Sequence, residues 1–257
     1  MTDLGFGVDP GAADSPVILH VPHASRHIPA EVRAGLLLDD PSVRRELDRM
    51  TDAHTDVMAG RAATAARLRP WCFVNRLSRL VVDPERFPDE REDLLAVGMG
   101  AVYTRTSDGQ PLRKADDSLV EQWFRPYAQA MTDLVDQRLA AAGRAVIVDV
   151  HSYPRERLPY ERGGPDRPEI CLGTDADHTP AWLADAAHAA FAGYERAVNT
   201  PFAGCYVPLK HYGRDARVSA VMIEIRRDLY LADAAGLDDI VAALTALVDH
   251  IHPPLQG

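Results

Sequence analysis

Short apolar runs recur along the chain and alternate with amphipathic segments. The clearest run is residues 145–150, Ala-Val-Ile-Val-Asp-Val. An almost continuous apolar run of this length is typical of a strand that is buried on both faces of a sheet. Shorter runs predict further strands at 17–21, 71–74, 80–82, 170–172 and 218–225.

Apolar residues at helical spacing predict four helices between these strands. They span residues 42–68, 119–142, 180–191 and 237–251. Ser42 is placed to cap the first helix, and Gly143 to end the second. Strands that alternate with helices predict an α/β fold, with a mixed, mainly parallel sheet covered by helices on both faces. In such sheets, ligands bind beyond the carboxyl ends of the strands.

Length and charge narrow the class of protein. The chain has 257 residues, and α/β folds of this length often form one domain. We expect a single domain, with residues 1–15, rich in Gly, Ala and Pro, as a flexible N-terminal segment. The net charge of -10 argues against nucleic-acid binding, because contacts with phosphate dominate that affinity.

The hydropathy pattern predicts no membrane contact. No run approaches the length of about eighteen apolar residues that a membrane span needs. The N-terminal residues lack the basic start and apolar core of a signal peptide. The expected location is therefore the cytoplasm.

Reactive side chains stand where three of the predicted strands end. His20 and His23 end the first strand, Asp149 and His151 the central one, and Glu224 the last. Two imidazoles and a carboxylate can form a catalytic zinc site, which takes three protein ligands and leaves a fourth position for water. A further carboxylate can then act as general base. A lone strand-end histidine is more often a hydrogen-bonded structural residue, and spacing alone leaves both roles open.

Three aspartates repeat at helical spacing in the first predicted helix. Asp48, Asp52 and Asp56 are four residues apart, so a continuous helix would place them along one stripe. Their like charges repel, and a bound cation would relieve the repulsion. The alternative is a solvated face on which Arg44 and Arg49 pair with the aspartates, and the residues alone favour this alternative.

A basic cluster follows the strand predicted at 71–74. Arg76, Arg79 and Arg86 belong to it, and arginine gives bidentate recognition of a carboxylate. Asp83 could orient one of these guanidinium groups. The alternative is a set of surface ion pairs, which stabilise little.

Taken in order, these segments make the chain resemble the N-formylglutamate amidohydrolase family. The resemblance covers about residues 17–230. The segments that carry it are 21–25 (Val-Pro-His-Ala-Ser), 28–29, 52–56 (Asp-Ala-His-Thr-Asp), 78–83 with Arg86, 126–127, 149–152 (Asp-Val-His-Ser), 199–204 and 223–227 (Ile-Glu-Ile-Arg-Arg).

The resemblance implies a fold similar to that of zinc-dependent exopeptidases of the carboxypeptidase type. It also implies one zinc ion held by His23, Asp52 and His151, with Asp56 as the alternative to Asp52, although other divalent metals also suit such ligands. Glu224 matches the expected general base. The residues expected to bind substrate are Arg79, Arg86 and Arg226.

The implied reaction is hydrolysis of the amide bond of a small anionic N-formyl or N-acyl amino acid, such as N-formylglutamate in histidine degradation. Two departures bear on the substrate. The family commonly shows Asp-x-Asn-Arg where this chain has Glu85 before Arg86, and Cys205 replaces a glycine. The alternatives are another zinc deacylase or small peptidase, and a non-catalytic binding protein that retains the fold.

Overall fold

A seven-stranded sheet forms the centre of the computed structural model, which describes residues 5–161 and 164–252. The strands are β1 (Phe6–Asp9), β2 (Val17–Val21), β3 (Trp71–Asn75), β4 (Ala145–Tyr153), β5 (Ile170–Gly173), β6 (Arg196–Val198) and β7 (Val218–Arg226). Their order across the sheet is β1-β3-β2-β4-β7-β5-β6. Strands β3, β2, β4 and β7 run parallel, whereas β1 pairs antiparallel with β3 and β5 antiparallel with β7.

Helices cover both faces of this sheet. The helices are α1 (Ala30–Ala34), α2 (Asp40–Met50), α3 (Thr55–Ala65), α4 (Arg125–Ala142), α5 (Ala181–Ala190) and α6 (Ala234–Ile251), of which α1 and α2 pack against loops beside the sheet. Apolar residues of α3, α5 and α6 pack against one face of the sheet, and those of α4 against the other. The predicted mixed, mainly parallel α/β fold is confirmed.

The central strand β4 shows why its sequence is apolar almost throughout. Val146, Val148 and Val150 belong to the core beneath α3, α5 and α6, whereas Ala145 and Ile147 belong to the core beneath α4. Because alternate residues point to opposite faces, a strand covered by helices on both sides needs apolar residues at nearly every position. The polar residues Asp149 and His151 occur only towards its carboxyl end.

The single helix predicted at 42–68 is two helices. Helix α2 ends at Met50 and α3 begins at Thr55, and between them His54 adopts a left-handed conformation with φ of 67°. Asp39, rather than Ser42, caps α2 by accepting a hydrogen bond from the Ser42 amide. Because Asp52 lies in this break, the predicted stripe of aspartates does not exist.

Two further predictions on local structure need correction. Residues 80–82, predicted as a strand, form a turn closed by a hydrogen bond from the Val81 amide to the Ser78 carbonyl. Their apolar side chains are buried against neighbouring loops and helices instead of in the sheet. The N-terminal segment expected to be flexible contains β1, because Phe6 stacks on Phe73 of β3. Residues 1–4 lie outside the described part of the chain.

Membrane crossing can be assessed for the helices that the structure describes. None of them is both long enough and apolar enough to span a bilayer.

Candidate active site

Parallel strands bring the predicted site residues to one edge of the sheet. His20 and Asp149 are direct neighbours on β2 and β4, and His151 and Glu224 are neighbours on β4 and β7. His23 follows the end of β2. These positions lie at the carboxyl ends of the strands, where α/β sheets bind their ligands.

Three donor atoms face one another in this cluster. His23 Nδ1 lies 3.3 Å from His151 Nδ1. Asp52 Oδ2 lies 3.1 Å from His151 Nδ1 and 3.7 Å from His23 Nδ1. In a tetrahedral zinc site with bonds of about 2.1 Å, neighbouring donor atoms lie about 3.4 Å apart. The three atoms therefore have the spacing of three donors around one zinc ion.

The outer atoms of the same three side chains are held by polar neighbours. His23 Nε2 lies 2.9 Å from Asp83 Oδ1, and His151 Nε2 lies 3.0 Å from Asp149 Oδ1 in an ionic contact. Arg227 Nη2 donates to Asp52 Oδ1 at 3.0 Å. Such outer contacts orient metal ligands in proteins, and here they direct the inner atoms of all three side chains towards one point.

Carboxylates outnumber guanidinium groups around these donors. Among the residues that the structure describes, the charged groups are the carboxylates of Asp52, Asp83, Glu85, Asp149 and Glu224, and the guanidiniums of Arg79, Arg86 and Arg227. When all are ionised, two negative charges remain unbalanced, and an unbalanced buried charge is costly. One divalent cation would balance them, so both the geometry and the charge of the site fit a bound metal ion.

The same excess of negative charge shifts the pKa values of the candidate ligands. Burial lowers the pKa of His151, but Asp149 and Glu85 outweigh it and raise that pKa well above its ordinary value. The pKa of His23 is also raised, because nearby carboxylates overcome the effect of burial. Burial raises the pKa of Asp52, but hydrogen bonds with both histidines hold it below its usual range. Two imidazole protons can thus balance the charge that one divalent cation would balance.

Glu224 has the properties of a base that works near neutral pH. Its side chain is buried, and Oε2 has no hydrogen-bond partner among the described residues. Burial, with a smaller contribution from Asp52, raises the pKa of Glu224 to about 7. General bases are most effective when their pKa lies near the working pH.

A cavity of about 1040 Å³ opens onto this cluster. Its lining includes Asp52, His151 and Glu224, and His23 lies directly behind them. Arg79 and Arg86 also line the cavity. Substrate would therefore meet the candidate ligands, the candidate base and two guanidinium groups in one place.

The two predicted arginines differ in how firmly they are held. Arg79 uses Nε and Nη2 to bind Asp83 Oδ2, at 3.3 and 2.9 Å. Arg86 is twice as exposed, at 24% of its side chain against 12% for Arg79. The Nε atom of Arg86 has no hydrogen-bond partner among the described residues, although it lies 3.4 Å from Asp83 Oδ2. Arg86 therefore retains more capacity to bind a ligand.

The prediction that Arg226 binds substrate needs correction. Its guanidinium group is taken up by Asp228 at 2.7 Å and by the Arg167 carbonyl at 2.7 Å, and it is not part of the cavity lining described above. The next residue, Arg227, lines the cavity and binds Asp52. Arg226 closes the neighbouring loop instead.

The structure also separates Asp52 from Asp56. Asp56 lies in the first turn of α3, where Oδ1 accepts a hydrogen bond from the Val57 amide, and it lies outside the cavity lining. Asp52 is buried, and its backbone amide donates to the His23 carbonyl. That hydrogen bond fixes the break between α2 and α3 next to β2, so only Asp52 reaches the two histidines.

Sequence reasoning placed Asp149 at the end of a strand but assigned no contact with the donor atoms to Asp149, Glu85 or Arg227. The alternation of a strand could have indicated Asp149, because it precedes His151 by two residues and shares its face of β4. Glu85 and Arg227 lie beyond regular elements, and no periodic pattern indicates where such side chains point.

Together, the fold and the site define an α/β protein with a buried histidine–carboxylate centre, an arrangement that hydrolases use. A family model for N-formylglutamate amidohydrolase matches residues 15–231. The chain therefore belongs to the N-formylglutamate amidohydrolase family, which makes it a hydrolase of amide bonds, and the resemblance seen in the sequence is confirmed.

Solved structures share this fold. An N-formylglutamate amidohydrolase from Ralstonia eutropha JMP134 superposes with a TM-score of 0.78 at 22% identity, over 97% of each chain. A gene product of Agrobacterium tumefaciens superposes with a TM-score of 0.72 at 23% identity, over 95% of this chain and 93% of that one. A comparison with curated proteins found no match.

Proposed function

We propose that the chain is a zinc-dependent amidohydrolase that cleaves the amide bond of a small anionic N-formyl or N-acyl amino acid, such as N-formylglutamate. The observation that carries this proposal is the set of three donor atoms from His23, Asp52 and His151, 3.1 to 3.7 Å apart. Their spacing and their charge fit one divalent ion. Membership of the family supports the type of bond that is cleaved.

A bound ion would polarise the acyl oxygen and lower the pKa of a water molecule to about 7. The other groups of the reaction belong to the chain. Glu224 takes the proton of the attacking water and delivers it to the nitrogen that leaves. A C–O bond forms, the amide C–N bond breaks, and the products are a carboxylate, formate in the simplest case, and a free amino acid.

Arg86 binds the carboxylate of the substrate in this proposal. It lines the cavity, is partly exposed and has an Nε atom with unused hydrogen-bonding capacity. Arg79 adds positive charge next to Arg86, although Asp83 already occupies two of the Arg79 nitrogens, Nε and Nη2. An arginine that binds in a bidentate manner fixes both the position and the orientation of a carboxylate.

The size of the cavity favours a second candidate substrate. At about 1040 Å³, it lies at the upper end of the range for small-molecule sites, about 300–1,000 Å³. Apolar side chains, including Phe87, Leu158 and Phe202, form part of its lining. An amino acid with a larger acyl group, or a short acylated peptide, would fill this space better than N-formylglutamate does.

Metal analysis combined with a substrate panel tests the proposal. Purified protein is assayed for zinc and for hydrolysis of N-formylglutamate, longer N-acyl amino acids and dipeptides, before and after treatment with a chelator. We expect hydrolysis that is lost with the metal and restored by zinc. Faster cleavage of the longer acyl substrates would identify the second candidate as correct. Protein that neither binds zinc nor hydrolyses any member of the panel would be a binding protein, and the proposal would be wrong.

A further inference from the structure

Glu85 reaches into the centre of the histidine cluster from the loop that follows Asp83. Its Oε2 lies 3.3 Å from His151 Nε2 and 3.6 Å from His23 Nδ1. One ligand atom each from His23, Glu85 and His151 can be chosen so that all lie within 4.8 Å of one another. Of the two nitrogen atoms near Oε2, His23 Nδ1 is one of the donors to which the proposed function assigns the metal, whereas His151 Nε2 is the outer nitrogen of its ring. A second carboxylate thus lies beside one of the proposed donors.

Within the described part of the chain, the Glu85 carboxylate has no other strong partner. Its Oε1 is buried and has no hydrogen-bond partner among the described residues. The ion pairs that the structure shows for this carboxylate are with imidazole rings, at 3.3 to 3.6 Å. The nearby guanidinium groups of Arg79 and Arg86 point to Asp83 instead. A buried carboxylate oxygen without a donor is costly, and a cation among the rings would remove that cost.

A separate cation site next to His20 is less well supported. His20, Glu85 and Asp149 also bring three possible ligand atoms together. However, both ring nitrogens of His20 already have partners, Asp149 Oδ1 at 2.8 Å and the Tyr127 hydroxyl at 2.5 Å. The His20 ring is satisfied without an ion, so we assign Glu85 to the centre formed by His23 and His151.

We propose that Glu85 is a fourth protein ligand of the metal centre, an assignment that rests on the proposed function. With His23, Asp52 and His151 it would complete four protein donors, which close a tetrahedral site, whereas a catalytic site keeps one position open. Glu85 therefore has to leave the metal, or share it, when a substrate oxygen or water enters. It lines the cavity and is 16% exposed, so its carboxylate is the donor most able to move.

Binding of azide to cobalt-loaded protein tests this assignment, because azide needs an open coordination position. Cobalt is loaded in place of zinc, and azide is titrated while the visible spectrum is recorded. In the wild-type chain azide has to displace Glu85. We expect Glu85→Gln to bind azide at least about tenfold more tightly, and to bind zinc about tenfold or more weakly in a calorimetric titration.

Two further variants separate coordination from simple charge. Glu85→Asp keeps the charge but is one methylene shorter, so it should resemble Glu85→Gln if coordination is lost. Glu121→Gln removes a carboxylate that lines the same cavity but is exposed and paired with Arg125, and it should resemble the wild type.

The possible results distinguish this proposal from the proposed function. If Glu85→Asp binds azide as the wild type does, or if Glu85→Gln does, Glu85 is not a ligand although the metal centre stands. If the wild-type chain binds no cobalt at all, both proposals are wrong. Binding of one cobalt per chain with azide affinities in the expected order supports both.

Discussion

Glu224 is the residue whose environment most directly suggests a chemical role. A carboxylate in water is ionised at neutral pH and is a weak base, with a pKa of about 4.3. Burial among the strand ends raises the pKa of Glu224 to about 7 and leaves one oxygen without a partner. The cavity thus contains a base that can accept a proton and release it again near neutral pH.

Replacing Glu224 by Gln should abolish this proton transfer while keeping the shape of the side chain. We expect turnover to fall by about 10²–10⁴-fold, with zinc content unchanged, because Glu224 is not among the proposed ligands. In the metal-free chain the ionised form of Glu224 accumulates as the pH rises through about 7. A bound cation favours the ionised carboxylate and lowers this pKa, so turnover of the zinc-loaded wild type should rise with pH and level off at or below about pH 7. Steady-state rates between pH 5.5 and 8.5 test this, and a Glu224→Gln protein with wild-type turnover would falsify the role.

Asp52 and Asp56 are two nearby aspartates, of which one is a proposed metal ligand and the other serves as its control. They are four residues apart, but only Asp52 lies between the two histidines. Asp52→Asn should lower zinc affinity by about tenfold or more, since it removes the charge of a ligand, whereas Asp56→Asn should leave it unchanged. Equilibrium dialysis against zinc measures both. The ligand assignment fails if the two variants retain zinc equally.

At the scale of elements, the apolar pattern predicted the parts of the fold that periodicity controls. The strands β2, β4 and β7 and the closing helix α6 occur where the sequence predicts them, because the strands are buried over nearly their whole length and α6 buries one apolar face. Residues 80–82 are just as apolar, but they are buried in a turn. Hydrophobicity indicates burial, and for three residues it does not distinguish a strand from a turn.

Local sequence patterns also predict only part of the candidate site. His23 and His151 stand at strand ends, where the sequence alone could suggest a site. Asp52 was placed on a helical stripe, yet it reaches the histidines because the helix breaks at Thr51–His54. The break depends on a tertiary contact, the hydrogen bond from the Asp52 amide to the His23 carbonyl. No local pattern around residue 52 contains that contact.

Gly173, at the end of β5, packs closely against the loop that lines the cavity. A Cβ atom there would collide with the Gly204 carbonyl and the Met222 side chain, and Gly204 belongs to the loop that lines the cavity. Gly173→Ala should therefore lower the free energy of unfolding by about 1–3 kcal/mol and raise KM as the loop moves. Urea unfolding and steady-state kinetics measure the two effects.

Gly193 is the control for this substitution, because a Cβ atom there meets nothing within 4 Å. Gly193→Ala should change the free energy of unfolding by no more than about 0.5 kcal/mol and leave KM unchanged. Equal effects of the two substitutions would show that close packing at Gly173 does not hold the loop.

At the scale of the whole molecule, the centre couples metal binding to folding. The buried carboxylates and guanidiniums converge from β4, from β7 and the residue after it, from the break between α2 and α3, and from the loop after β3, so the charge imbalance exists only in the folded chain. Any ion that binds the folded state alone stabilises it, by about 2.7 kcal/mol at a concentration of one hundred times Kd. Zinc should therefore raise Tm by roughly 5–10 °C.

The pH dependence of this stabilisation follows from the two histidines. Nearby carboxylates overcome burial and raise the pKa of both His23 and His151. In the metal-free chain their protons contribute stability below the ordinary histidine pKa of about 6.5, and this contribution is lost as the pH rises through the raised values. Zinc displaces the same protons, so the affinity of the chain for zinc should fall as the pH is lowered. The decrease is up to about tenfold per pH unit for each proton released.

The increase in Tm caused by zinc should therefore be larger at pH 8 than at pH 6. Thermal unfolding with zinc and with chelator at both pH values measures it. His151→Ala should abolish the increase, whereas His250→Ala, which alters an exposed histidine in the last turn of α6, should retain it. An increase that grows as the pH falls, or that survives in His151→Ala, would show that zinc stabilises the chain at another place, because only a centre built on these imidazoles has to compete with their protons.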